Sequence, residues 1–377
     1  MKRILCFALI LLVFVCGCHK DRKPLDKNDT FRLLVKQHGK FGYCARNGDL
    51  VIPAQFEHAS IFSEGLAAVR INGKDGFIDP NGNVVIKPRF DGTSLFMEGK
   101  AAVLFGDRWG YIDRSGTLLG EPRYIATFAY TEGLASVVVA QPKGEPKAGY
   151  IDGQGKFVIN PQFDDASLFS EGLAAVKIGR KKGYIDKTGR MVIPAVFDEA
   201  RPFRDGLAQV QINGKYGMRG FIDHTGIMVI PAQYGDASNF REGVAAVQTR
   251  TGWMLIDRSG RPLINREFKA PTIFSEGLAP VMVDKKVGYM DMKGNMVIPP
   301  KYAAGSIFVN GLAPVRKGDK CGFIDKEGKM VIDPDYEWDQ RAIDMFLSYY
   351  TTFSTLGNPP ALPGDLRSLT VPGVRNG

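Results

Sequence analysis

Short apolar runs alternate with glycine-rich polar turns along most of the chain. In one stretch, LAAV at 173–176, GYID at 183–186 and MVIP at 191–194 are apolar runs of β type separated by polar turns. Neighbouring residues such as Tyr184 and Ile185 are both apolar, so both faces of the strand carry apolar side chains. The pattern predicts an antiparallel meander of three strands, which we call A, B and C, in a small sheet that is covered on both faces.

The meander recurs at a fixed period. The aspartate that ends strand B occurs at positions 79, 113, 152, 186, 223, 257, 291 and 325, at intervals of 34 residues except for two of 39 and 37. A marker glycine, in strings such as SEGLA, lies 20 residues after Ala45 and after each of the first seven aspartates. Nine units are therefore predicted over residues 31–336. The predicted fold class is all-β, with tandem antiparallel hairpin or meander repeats in either a propeller-like ring or an open β-superhelix.

The string GYIDKTG at 183–189 raises the question of whether its aspartate and glycine form a site or a turn. An aspartate at the first position of a type I turn accepts local backbone N–H groups, and a glycine at the fourth tolerates positive φ where the hairpin closes with a bulge. The two residues between Asp186 and Gly189 share no chemistry with their counterparts in the other units. A calcium loop needs several oxygen ligands. We therefore predict a hairpin, without a metal or a catalytic residue.

The spaced residues of these units closely resemble the WG (KWG) repeats of bacterial proteins. The shared pattern is Gly-Tyr-Ile-Asp-x-x-Gly, then Val-Ile-Pro-x-x-Phe, then Phe-Ser-Glu-Gly-Leu-Ala-x-Val. The tryptophan of the family name is found in this frame only at Trp109, before Gly110. In the other units the frame places Phe41, Asp75, Ala148, Lys182, Arg219, Gly252, Val287 and Cys321 at its position. The resemblance implies a β-repeat module of exported and surface proteins that acts as a non-enzymatic interaction scaffold.

The N-terminal residues have the features of an export signal. Residues 1–17 combine a basic start, an apolar run and a small-residue end. The string VCGC at 15–18 resembles the lipobox of bacterial lipoproteins, which implies lipid attachment at Cys18 and a location at the cell envelope. His19 in place of an aspartate favours the outer membrane if the cell is Gram-negative. The alternative is a plain secretory signal that is cut elsewhere; in either case residues 18–30 are predicted to be a tether.

Insertions and basic charge both concentrate in the predicted A–B hairpins. The two long intervals fall between a marker glycine and the next aspartate, at 133–152 and 206–223, and insertions in repeat arrays often map to the binding face. The A–B tips hold fifteen basic and five acidic residues. We predict a cationic edge that binds an anionic partner, whether lipid headgroups, an acidic glycan or an acidic protein. The candidate residues are Lys143, Lys147, Arg180, Lys181, Lys182, Lys215 and Arg219.

The alternative is that these charges only solvate the hairpins. Nucleic acid is not expected as a partner, because the tips lack interleaved aromatic residues for base stacking. The opposite edge is predicted to be anionic, because it carries an acid next to most marker glycines. These acids are Glu64, Glu98, Glu132, Glu171, Asp205, Glu242 and Glu276.

No pattern in the sequence identifies an enzyme. The four histidines are scattered, and neither a nucleophile elbow nor a P-loop occurs. We therefore predict a non-enzymatic protein without metal or cofactor. The competing interpretation is an envelope hydrolase or carbohydrate-active protein that uses dispersed acids such as Glu171 and Asp205.

Three structural expectations remain. The aromatic residue that precedes each marker glycine by three positions, such as Phe203, is predicted to belong to a core ladder. Cys44 and Cys321 are predicted to lie on opposite faces of strand B, which argues against a disulfide. Residues 337–377 are predicted to form a capping helix within 339–354 and a loose tail, with a partner-binding helix as the alternative.

Overall fold

The computed structural model describes residues 30–214, 217–340 and 343. The predicted signal segment, Cys18, nearly all of the tether, Lys215 and the C-terminal tail lie outside the described residues.

Nine small antiparallel sheets follow one another along the described chain, and we number them 1 to 9. A complete sheet has four strands in the order inner strand, A, B and C. Strands A and B occur in all nine sheets, so the all-β meander prediction is confirmed. The sequence pattern did not predict the inner strand, which is only two residues long.

The strands have the following bounds. The inner strands are His58–Ala59, Gly92–Thr93, Ala126–Thr127, Asp165–Ala166, Glu199–Ala200 and Ala304–Gly305. The A strands are Leu33–Gln37, Ala67–Ile71, Lys100–Phe105, Ala135–Val139, Ala174–Ile178, Ala208–Gln211, Val244–Gln248, Leu278–Val283 and Ala313–Lys317. The B strands are Lys40–Cys44, Lys74–Ile78, Arg108–Asp113, Lys147–Ile151, Lys181–Ile185, Arg219–Ile222, Trp253–Asp257, Lys286–Asp291 and Lys320–Ile324. The C strands are Leu50–Phe56, Val84–Phe90, Phe157–Phe163, Met191–Phe197, Met228–Tyr234, Met296–Tyr302 and Met330–Glu337.

The B–C turns are the hairpins that the sequence predicts. In sheet 5, the Gly189 N–H donates to the Asp186 carbonyl at 2.9 Å, and Gly189 has a φ of 86°. The Asp186 carboxylate accepts the backbone N–H groups of Thr188 at 3.0 Å and Arg190 at 3.1 Å. These bonds lower the pKa of Asp186 to about 2, with the Thr188 hydroxyl making the largest contribution. The hairpin prediction is confirmed.

A second tight turn leads from the inner segment into strand A. Ser170 and Leu173 exchange two backbone hydrogen bonds, and the two residues between them, Glu171 and Gly172, both have positive φ. This is the geometry of a two-residue type I′ hairpin. Glutamate adopts positive φ at a cost, and its side chain has a specific partner that is described below.

The hydrophobic core lies between consecutive sheets. Tyr184 of sheet 5 packs in one cluster with Phe203 of sheet 6, their ring centroids 4.9 Å apart, whereas the next residue, Ile185, faces sheet 4. The Tyr184 hydroxyl donates to the Arg201 carbonyl at 2.8 Å, and burial raises the pKa of this tyrosine. Phe203 is buried, as are its counterparts in sheets 2 to 5 and 7 to 9. The predictions of sheets covered on both faces and of a core ladder are confirmed.

The first sheet packs against the last. Cys44 of sheet 1 and Cys321 of sheet 9 lie in one buried cluster, and the Tyr336 hydroxyl of sheet 9 donates to the Gly48 carbonyl at 2.9 Å. The inner segments also meet in a shared apolar cluster, which we call the hub. It consists of Ile61, Leu95, Met97, Ala129, Leu168, Ile307 and Val309. These contacts join the two ends of the array, as in the ring alternative and unlike an open superhelix.

The joining of the ends changes two expectations. Sheet 9 is covered by sheet 1, so it does not depend on a capping helix for cover. The predicted helix over 339–354 lies almost entirely outside the described residues, and the few that are described, with one bond from the Ile343 N–H to the Asp339 carbonyl at 3.1 Å, do not establish it. Cys44 and Cys321 face one interface because opposite faces of two sheets meet there. The two cysteines do not form a disulfide, and burial raises the pKa of Cys321 to about 12.

Sheets 3 and 7 are irregular, since the described residues after their B strands form isolated bridges instead of strand C. The strand register places Trp253 of sheet 7 at the position of Trp109. The sequence frame, which placed Gly252 there, was wrong by one residue.

The loss of strand C explains why sheet 7 carries a larger residue at the glycine position of strand B. A Cβ on Gly183 would lie 2.5 Å from the Ile193 carbonyl oxygen, so strand C passes too close for a side chain. In sheet 7, where strand C is lost, this position is Met254.

Candidate functional site

The A–B edge carries basic residues that the sequence predicts, together with acids that directly follow strand C. Lys147 pairs with Asp164 at 2.5 Å, and Lys181 pairs with Asp198 at 2.8 Å. Each of these carboxylates also accepts a backbone N–H from the A–B tip of the following sheet, Asp164 from Gly179 at 2.6 Å. The lysine hydrogen bond, followed by the N–H bond, lowers the pKa of each aspartate. The edge is therefore less cationic than a count over the hairpin tips suggests.

The remaining predicted residues divide into two groups. Lys182 pairs with Glu199 at 2.7 Å, and Arg219 pairs with Asp236 at 3.3 Å. Lys143 and Arg180 are exposed, and neither forms an ion pair with another residue in the described part of the chain. Among the predicted residues that the structure describes, these two cations remain available to an external anion.

A cavity of about 530 Å³ opens at the A–B edge of sheet 6. The charged residues Asp198, Glu199, Arg201 and Arg219 contribute to its wall, together with the amides of Gln209 and Gln211. The size is within the range of roughly 300–1,000 Å³ for ligand pockets. The lining is more polar than usual for a small-molecule site and carries both signs of charge. Such a wall suits a polar, charged ligand that brings both hydrogen-bond donors and acceptors.

Gln209 distinguishes this sheet from the others. Its position in strand A is a buried alanine in the neighbouring sheets 5 and 7, as Ala175 and Ala246. Gln209 is only 3% exposed, its Nε2 donates to the Ala237 carbonyl at 3.1 Å, and its Oε1 has no hydrogen-bond partner. A buried amide oxygen without a partner costs free energy that a ligand N–H can recover.

Sequence reasoning identified the insertion in this sheet but missed the glutamine. The insertion lies in the A–B hairpin after Gln211, whose Nε2 donates to the Gly214 carbonyl at 2.9 Å beside the cavity. The feature that reveals Gln209 is the break in the small-residue pair Ala174-Ala175, which becomes Ala208-Gln209. The two departures from the repeat therefore meet at one cavity.

The acids of the opposite edge link one sheet to the next. Glu171 of sheet 5 accepts the Gly206 N–H of sheet 6 at 3.1 Å, and Asp205 accepts the Gly243 N–H of sheet 7 at 2.8 Å. The His224 imidazole of sheet 6 adds a contact to Glu171 at 3.1 Å. The same bond to the next marker glycine is made by Glu64, Glu98, Glu132, Glu242 and Glu276. We call these contacts the carboxylate clasps, and the predicted hydrolase acids Glu171 and Asp205 belong to them.

Two searches of the described residues bear on other kinds of site. They contain no group of three or more histidine, cysteine, aspartate or glutamate side chains arranged to hold a metal ion. Within the same part of the chain, no helix has the length and apolarity that crossing a bilayer requires.

Solved structures resemble this chain in fold alone. A eukaryotic initiation factor shares 11% sequence identity, with a TM-score of 0.50 over 73% of this chain and 84% of that one. A dihydro-heme d1 dehydrogenase shares 14% identity, with a TM-score of 0.41 over 82% of this chain and 74% of that one. A puromycin hydrolase shares 14% identity, with a TM-score of 0.34 over 66% and 57%. A search of curated protein sequences finds no match.

The family comparison agrees with the repeat pattern. The WG containing repeat matches nine segments, which together span most of residues 41–343. The segments are 41–74, 76–109, 109–140, 149–181, 183–216, 220–250, 253–286, 288–321 and 322–343. The chain therefore belongs to the WG repeat family.

Proposed function

We propose that this protein is a non-enzymatic interaction scaffold, a propeller-like ring held at the bacterial cell envelope by a lipid on Cys18. It binds an acidic segment of a partner protein at the A–B edge of sheets 4 to 6. The observation that carries the proposal is the cavity of sheet 6, where the insertion and Gln209 both depart from the repeat. In repeat proteins, the face that carries such departures is often the binding face.

The cavity and the cations around it favour an acidic peptide. Arg201 lines the cavity and is exposed, and the exposed Arg180 and Lys143 occupy the A–B tips of sheets 5 and 4. Guanidinium groups bind carboxylates through paired hydrogen bonds. The unpartnered Gln209 Oε1 offers an acceptor for a backbone N–H, which a peptide has and a phosphate group lacks.

The binding test uses a fluorescent Asp/Glu-rich peptide and measures anisotropy at fixed ionic strength. Neutralising Lys143, Arg180 and Arg201 together to glutamine should weaken binding about tenfold or more. The matched control neutralises Lys156, Arg190 and Arg261, which are exposed on the B–C edge, and should change the affinity less than about twofold. Equal losses of affinity in the two triple variants would contradict specific binding at the A–B edge. If the protein binds anionic vesicles or an acidic polysaccharide more strongly than the peptide, that ligand, and not a protein, is the partner.

The anchor has its own test. Labelled palmitate should be incorporated into the wild-type protein and lost in Cys18→Ser, with the variant released from the membrane fraction. Incorporation that persists in Cys18→Ser contradicts the anchor and leaves the binding edge unaffected.

A further inference from the structure

The hub draws its residues from sheets 2 to 5 and 9, whereas the corresponding positions of sheets 6 and 7 include polar residues. These positions are the ones just before and just after the buried aromatic of the inner segment. In sheets 2 to 5 and 9 they include the apolar hub residues defined above. Sheets 6 and 7 place Arg204, Asn239 and Arg241 at these positions. The inner edges of these two sheets therefore bring two guanidinium groups and an amide to the centre of the array.

Arg204 is buried without adequate hydrogen bonding. The residue is 3% exposed, and its Nε and Nη1 have no hydrogen-bond partner. The Oδ1 atom of Asn239 is also buried and unpartnered. Arg241 donates from Nη2 to the Ser275 hydroxyl at 3.1 Å, and that hydroxyl donates to the Phe308 carbonyl at 2.7 Å. In sheet 5 this position is Ser170, whose hydroxyl donates a hydrogen bond to the Phe203 carbonyl at 2.8 Å.

The nearby carboxylates do not complete the hydrogen bonding of Arg204. Burial and the charge of Arg241 lower the pKa of Arg204, while Glu171 and Asp205 raise it. Both acids are engaged in the carboxylate clasps, on Gly206 and Gly243. A guanidinium stays protonated in proteins, and a buried cation without hydrogen-bonded compensation is costly. The unpartnered Nε and Nη1 are donors that suit a group with several acceptor oxygens.

We propose that Arg204 and Arg241, with Asn239 beside them, bind a small oxyanion, a phosphate or a carboxylate, at the inner edge of sheets 6 and 7. Guanidinium groups bind both anions through paired hydrogen bonds, and Asn239 contributes its amide N–H₂ when the side chain is turned to face the ligand. The site is separate from the cavity at the A–B edge and is independent of the proposed partner protein.

The test measures the melting temperature of the purified protein in chloride, acetate and inorganic phosphate at constant ionic strength. Phosphate or acetate should raise the melting temperature in a saturable way, since a ligand that binds only the folded state stabilises it. Arg204→Met should weaken the apparent affinity for that anion about tenfold or more. Methionine is accommodated at this position in sheet 3, as Met97. The exposed Arg190→Gln is the control and should keep the response.

A second variant protects the test against a folding defect. Arg204→Lys keeps the charge but loses the planar fork, so it should fold and still bind the oxyanion more weakly than the wild type. Equal stabilisation by chloride and by the oxyanions overturns the proposal and indicates a general salt effect. An unchanged response in folded Arg204→Met or Arg204→Lys overturns it as well.

Discussion

Sheets 5 and 6 are neighbours with one architecture, and they differ at a few buried positions. Both have four strands, the same B–C turn and a buried aromatic on the inner segment, Phe169 and Phe203. Sheet 5 has Ser170 and Ala175 where sheet 6 has Arg204 and Gln209, each with a buried polar atom that lacks a partner. The framework of the repeat is thus independent of the few positions that make one sheet different. A family built this way can change its ligand without changing its fold.

The largest expected effect breaks the framework that both sheets share. A Cβ on Gly183 or Gly220 would lie 2.5 or 2.6 Å from a carbonyl oxygen of strand C. Backbone atoms cannot move away as a side chain can, so Gly183→Ala and Gly220→Ala should each cost about 3 kcal/mol or more. Urea unfolding measures this cost, and hydrogen exchange should show loss of protection in strand C of the altered sheet.

Gly110 supplies the control for this prediction. Sheet 3 lacks a described strand C, and a Cβ there meets Pro122 at 3.2 Å instead of a crossing carbonyl. Gly110→Ala should therefore cost less, about 1 kcal/mol. Equal losses at Gly183 and Gly110 would show that strand C is not the reason for the glycine.

The second effect concerns the carboxylate clasp between sheets 5 and 6. Glu171→Ala removes the acceptor of the Gly206 N–H and should lower the free energy of unfolding by about 1–2 kcal/mol. Glu171→Gln keeps an acceptor oxygen and should lose less than half of that. Thermal denaturation compares the two variants, and Asp205→Asn against Asp205→Ala repeats the comparison between sheets 6 and 7. A glutamine variant as unstable as the alanine variant would show that the charge, and not the hydrogen bond, links the sheets.

Local turn chemistry made the repeat predictable from the sequence. Asp186 and Gly189 define the B–C hairpin within seven residues of chain, and the fixed period extends that assignment to every sheet. The carboxylate clasps were missed because they join Glu171 to Gly206, two residues that meet only when consecutive sheets pack. The contact between Gly48 and Tyr336 is more distant still, so no local pattern shows that the ends of the array meet.

The candidate site was predicted only in part. The insertion directs attention to the A–B edge of sheet 6, but a charge count over hairpin tips omits Asp164 and Asp198. These acids directly follow strand C and pair with Lys147 and Lys181. Those pairs depend on how far strand C runs, seven residues in sheet 5 instead of the four predicted. Gln209 was visible as a departure from the repeat, yet its meaning depends on the burial that packing imposes.

The smallest expected effect compares the B–C turns of sheets 5 and 6, which should behave alike. Asp186→Asn retains a side-chain oxygen for the Thr188 and Arg190 N–H groups but loses the charge, so the cost should be at most about 1 kcal/mol in solvent. The folded-state pKa of Asp186 is lowered to about 2 from 3.8. Its contribution to stability is therefore present above pH 3.8 and disappears as the pH falls through about 2.

Melting temperatures of the wild type and Asp186→Asn should differ most above pH 4 and converge towards pH 2. Asp223→Asn, whose carboxyl pKa is lowered by the Thr225 hydroxyl in the same way, should give the same pH profile. A difference in melting temperature that grows on acidification would show that the carboxylate does not stabilise the turn. A complete loss of partner binding in a folded variant would show that the turn takes part in binding.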